Sequence, residues 1–153
     1  MRTFVRFLRR SEGGQSLVEF ALIMPLFLLL VTGLFDVARA VWQENTLAYA
    51  AREGTRYAIV HGSGSANPVW PGNPAGTGYQ AVIDVVRNAA PGVPSITVVA
   101  NWPDTLGGSA CYDRNCRVSV DATAPFVPIP SQYLLGNTFV ITLRGGSMLV
   151  IQR

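Results

Sequence analysis

Residues 13–35 read GGQSLVEFALIMPLFLLLVTGLF, and between Leu17 and Phe35 the one ionisable side chain is Glu19. About 20 mostly apolar residues span the hydrocarbon core of a bilayer, and this run, with Pro25 and Gly33 inside it, is close to that length. Arg2, Arg6, Arg9 and Arg10 precede it, opposed in the first 14 residues only by Glu12. By the positive-inside rule such a head stays cytoplasmic. The expected topology is a single pass through a membrane, N-terminus in the cytoplasm and everything after Asp36 outside. Pro25 removes one intrahelical hydrogen bond and predicts a bend, which membrane helices tolerate.

The charge distribution excludes other classes. The chain has 153 residues, 12 basic and nine acidic, for a net charge of +3, and every basic residue is Arg. The surplus in the first 14 residues equals that whole excess, so the remainder is neutral. A nucleic-acid binder needs basic residues spread over a face to neutralise phosphates, and no nucleic-acid partner is expected. Charged residues are 14% of the chain and hydrophobic residues 49%, against roughly 25% charged in ordinary soluble domains. That apolar excess is concentrated in the run just quoted.

The helical signal does not stop at the membrane. Residues 37–60, VARAVWQENTLAYAAREGTRYAIV, contain no Pro and a single Gly. Alternate steps of four and three from Gly33 reach Val37, Ala40, Glu44, Leu47, Ala51, Gly54 and Ala58, small or apolar except for Glu44. This is one helix face, expected to pack closely on another element. Asp36, Arg39, Gln43, Thr46, Glu53 and Arg56 fall mainly on the opposite side. A helix over 15–60 would be roughly 69 Å long, about 30 Å of it in the membrane.

The start of the apolar run carries a further pattern. Gly13 and Gly14 are followed by Gln15, and Glu19-Phe20 begin five residues after Gly14. An acid at membrane depth costs free energy unless an opposite charge is near. The G-x-x-x-x-E-F spacing resembles the cleavage site of type IV prepilins and pseudopilins. That resemblance implies a cut after Gly14 by a prepilin peptidase, leaving Glu19 as the fifth residue of the mature chain. Small glycines let an extended backbone enter a protease groove, and the amine freed at Gln15 could be offset by Glu19. Two other readings stay open on these residues alone. One is an uncleaved bitopic surface protein whose outer domain binds a ligand or partner. The other is a secreted protein cut after Ala40, because Ala38-Arg39-Ala40 has the small-residue spacing of a signal peptidase site.

Taken with the Asp36-Val37-Ala38-Arg39 exit and the AAREGTRYA segment at 50–58, residues 13–60 closely resemble the TadE-like family, minor pilins or pseudopilins of the tight-adherence (Flp) pilus. The resemblance implies a role in pilus assembly, with the prepilin peptidase, other pilus subunits, the assembly platform and the lipid bilayer as partners. Residues beyond 60 match only in general character.

The expected organisation is a basic leader at 1–14, a long helix at 15–60, a Gly/Pro-rich loop at 61–78 and an extracytoplasmic domain at 79–153. Within the loop, Trp70 is expected to fold back onto the domain. Residues 79–90, YQAVIDVVRNAA, place Val82, Val85, Val86 and Ala89 at helical spacing before Pro91-Gly92. The segments 95–102, 117–126 and 137–145 alternate or run apolar with β-branched residues and read as strands. The fold class is therefore α+β, a long N-terminal helix and a second helix with a small antiparallel sheet of about three strands, compatible with a pilin head. Cys111 and Cys116, outside the cytoplasm on this topology, are expected to form a disulfide at the tip between the first two strands. The single His61 and two cysteines are too few for a zinc site, and Asp84, Asp104, Asp113 and Asp121 share no motif. No cofactor, metal or catalytic residue is expected.

Overall fold

The structure, a computed structural model, describes residues 12–72, 78–134 and 139–152. The expected basic leader lies almost wholly outside these residues, as do 73–77 of the Gly/Pro-rich loop and the first two positions of the third expected strand. The described elements follow in the order α1 (Glu12–Val60), α2 (Gln80–Ala89), β1 (Thr97–Asn101), β2 (Thr105–Leu106), β3 (Ser109–Ala110), β4 (Arg117–Phe126), α3 (Ile129–Leu134) and β5 (Ile141–Val150). The layout is α+β, with a three-stranded antiparallel sheet ordered β1-β4-β5 and a separate β2-β3 hairpin.

Helix α1 has 49 residues and runs unbroken through Pro25, about 74 Å at 1.5 Å per residue. In the full chain it begins at Glu12, and each glycine of Glu12-Gly13-Gly14 costs the helix only about 1 kcal/mol. Its first half touches little of the described chain. Leu17, Leu22, Leu26, Leu30 and Phe35 are all exposed. Its second half is the spine of the head. Leu47, Ala50, Ala51, Thr55 and Ala58 are fully or almost fully buried, against the inner face of the sheet and α2.

Alternation in β4 produces that inner face. Val118, Val120, Ala122, Ala124 and Phe126 are buried while the residues between them are partly or fully exposed, as a strand covered on one side requires. β1 contributes Val98 and Ala100. α2 presents Val82, Ile83 and Val86, and it crosses α1 at Gly54, where a β-carbon would overlap the Val86 side chain. On β5 the corresponding close approach is at Gly145, whose missing β-carbon makes room for the backbone of Leu47 and Ala48. The third strand accordingly starts at Ile141 and continues to Val150, not ending at Gly145 as expected. The glycines that read as a stop are where the strand meets the helix. The β2-β3 hairpin and α3 were not anticipated, being too short to carry a periodic signal.

The loop after α1 is tied down by backbone bonds from Val69 N–H to the His61 carbonyl (2.7 Å), Trp70 N–H to Gly78 (3.1 Å) and Ser63 N–H to Tyr112 (3.1 Å). Val69, not Trp70, is the loop residue that enters the core: Val69 is 4% exposed and Trp70 38%. Cys111 and Cys116 form a disulfide with Cα atoms 5.9 Å apart, between the hairpin and β4.

Candidate functional site

The candidate site is α1 itself, with the collar where it leaves its apolar stretch. At its start the Gln15 side-chain amide donates to a Glu19 carboxylate oxygen at 3.2 Å, one helical turn on. Phe20 and Leu17 are exposed beside them. Gly14 lies in the first turn of the helix; the side chains of residues 1–13 are outside the described set. Further along, Pro25 lies inside the helix, and Gly33 has open space around the position of a β-carbon.

The expected packing face splits. Leu47, Ala51, Gly54 and Ala58 are buried and Ala40 is half-buried, whereas Val37 is exposed and so is Glu44. Asp36 and Gln43, expected on the opposite side, are buried in their place, 6% and 8% exposed. The reason is helical drift. A repeat of seven runs about 20° per heptad ahead of a helix with 3.6 residues per turn. Asp36 stands about five whole turns before Gly54 and so shares its azimuth, and Val37 is displaced by about 100°.

Burial of Asp36 is supported by specific partners. One carboxylate oxygen accepts the backbone N–H of Ile129, at the start of α3, at 2.7 Å. The other forms an ion pair with Arg39, 3.4 Å from Nη2, without a hydrogen bond of its own; that nitrogen donates instead to the Val127 carbonyl. The Arg39 guanidinium lies over the Phe126 ring, 4.7 Å from its centroid. Two side chains one turn apart on α1 therefore hold the end of β4 and the start of α3. Asp36 and Arg39 are visible in the sequence as the first charges after the apolar run, but their hydrogen-bond partners are some 90 residues away and carry no side-chain signature, being backbone groups.

Other polar groups of the head have partners within it. His61 stacks on Tyr57 with ring centroids 3.9 Å apart, and its Nδ1 lies 2.8 Å from the Tyr57 carbonyl. Asp104 is held by Arg117 through contacts of 2.6 Å to both its guanidinium and its backbone N–H; those hydrogen bonds keep its carboxyl below the ordinary range. Burial pushes the Tyr79 hydroxyl up. Among the described residues no group of three or more His, Cys, Asp and Glu is placed to hold a metal.

These features define a class: a protein with one N-terminal helix long and apolar enough to cross a membrane, prolonged into a small α+β head built around its second half. Residues 14–56 match the family model described as TadE-like protein, the family that residues 13–60 resemble. The match and the apolar helix fit a membrane-anchored protein associated with the tight-adherence pilus. It covers nearly all of α1 and none of the sheet. No curated protein and no solved structure matches the chain.

Proposed function

We propose that the chain is a minor pilin or pseudopilin that takes part in assembly of a tight-adherence (Flp-type) pilus. It is made with a cytoplasmic basic leader, crosses the cytoplasmic membrane once at about 17–35 and carries its head outside. A prepilin peptidase removes the leader after Gly14. The freed amine at Gln15 then lies one turn from the Glu19 carboxylate, its own or a neighbour's, and an opposite charge stabilises an acid at membrane depth. The small buried face and the exposed apolar half of α1 divide the labour: the first holds the head, and the second meets lipid and the helices of other pilus subunits. The head needs no chemistry of its own for this role.

The observation that carries the reading is the family match over 14–56 lying on one continuous helix, apolar and exposed at one end and the spine of a folded head at the other. The test is the mature N-terminus, read by intact mass and terminal peptide sequencing of protein extracted from native membranes. A start at Gln15, abolished by Gly14→Ala with insertion intact, is expected. A start at Met1 or Val41, or normal cleavage of the Gly14→Ala chain at the same bond, overturns the reading.

A further inference from the structure

We infer that α3 is a second membrane contact, seated in the outer leaflet against the membrane-crossing helix with acyl chains occupying the groove between them. This rests on the single-pass topology proposed above and adds to it a lipid-bound element of the head.

The geometry begins with strand direction. β4 runs from Arg117, whose neighbour Cys116 bonds to Ile151 near the far end of α1, down to Phe126 beneath Arg39. β5 climbs back from Ile141 in antiparallel register. The end of β4 and the start of β5 are therefore at the membrane end of the head. There α3 lies along the apolar half of α1. Pro25, Leu28, Leu29 and Thr32 on one side and Ile129, Pro130 and Tyr133 on the other line a groove of about 340 Å³. Leu28 to Thr32 precede Asp36 by four to eight residues, so they lie roughly 6–12 Å deeper along the helix axis. If 17–35 crosses the bilayer, the element touching them is below the outer interface.

The chemistry of α3 and of the described residues beside it suits that depth. Between Asp121 and Arg144 the sequence contains no Asp, Glu, Lys, Arg or His. Tyr133 is 78% exposed, and Phe139, Val140 and Ile141 are exposed as well, an unusual surface for a water-facing loop but an ordinary one for an interfacial segment with an aromatic anchor. Thr32 turns its hydroxyl back to the Leu28 carbonyl at 2.8 Å, so it offers the groove little polarity. The first charges, Asp36 and Arg39, stand at the upper end, where their mutual contact and backbone partners hold the start of α3. A polar or protein ligand would find almost nothing to hydrogen-bond in this groove. Lipid requires nothing of the kind.

The test uses the full chain in nanodiscs of phosphatidylethanolamine and phosphatidylglycerol. Both native cysteines are in the disulfide, so Tyr133→Cys, Leu22→Cys and Leu106→Cys each offer a single free thiol, all at exposed positions. Each is given a nitroxide, and its relaxation by oxygen is compared with that by a water-soluble nickel complex. The Tyr133 label is expected to favour oxygen several-fold, as the Leu22 label does, while the Leu106 label on the distal hairpin favours nickel. A lipid-like Leu22 label with a water-like Tyr133 label overturns the inference and spares the topology; a water-like Leu22 label overturns the topology itself. A Tyr133 label shielded from both reagents and broadened by a second label identifies another copy of the chain in the groove and overturns lipid as the occupant.

Discussion

Gly145 on β5 rests directly against the backbone of Ala48 on α1, with no space between them for a β-carbon. The contact sets the distance between sheet and spine, because Gly145 pairs with Ala122 at the centre of the β4–β5 ladder. Core overpacking of this kind typically costs about 1–3 kcal/mol. Here the obstacle is backbone, which cannot rotate away.

Gly145→Val is therefore expected to lower the denaturation midpoint of the full chain in detergent by an amount equivalent to at least about 2 kcal/mol. Gly33→Ala, where a β-carbon meets nothing within 4 Å, leaves the midpoint unchanged or raises it slightly through better helix propensity. Equal midpoints for Gly145→Val and the unmodified chain would show that the sheet can move off the helix.

Asp36→Ala removes the acceptor for the Ile129 N–H and the ionic partner of Arg39. Hydrogen bonds to a charged group contribute about 1.5–3 kcal/mol, so the loss should be felt first where α3 begins. Hydrogen exchange is expected to speed up about tenfold or more at Ile129, with the amide of Val120 in the sheet centre little changed. If both amides accelerate alike, Asp36 supports the whole head rather than the collar.

Asp104 gives the head a defined acid response. Its carboxyl is held below the ordinary value by the hydrogen bonds from the Arg117 side chain and backbone, so the unfolded chain binds that proton more readily than the folded one. The contribution is complete above the unfolded value, near ~3.9, and is lost as the pH falls below it through the folded value. Urea titrations of the original chain and of Asp104→Asn should thus converge on acidification below about pH 4. A gap between them that stays constant with pH would remove Asp104 from the account.

Reduction of the Cys111–Cys116 disulfide opens a small loop, for which chain entropy gives about 2 kcal/mol. That loop is stitched to the end of the chain by the Ile151 N–H to the Cys116 carbonyl (2.8 Å) and the Asn115 N–H to the Ile151 carbonyl (3.0 Å). A phosphine reductant should lower Tm and expose the Ile151 amide to exchange before the core amides. An unchanged Tm in fully reduced protein would mean the backbone bonds suffice.

The elements with a repeating pattern were legible in the residues. The apolar run ended by Asp36, the alternation of Val118, Val120, Ala122 and Ala124, and the spacing of Val82 and Val86 each follow from a local period, and burial on one face enforces that period. The cysteine pair was legible for a different reason, being two cysteines five positions apart on the side of the membrane where disulfides persist. Tertiary structure decided what no period contains. It fixed which azimuth of α1 faces the head, because a small angular drift per turn accumulates over 18 residues and puts Asp36, not Val37, in line with Gly54. It turned Gly145 from an apparent strand end into the point of closest contact, since only the position of Ala48 makes a missing β-carbon useful. And it laid α3 beside Leu28 and Leu29, a neighbourhood set by the directions of β4 and β5 and by two backbone groups that any sequence would supply.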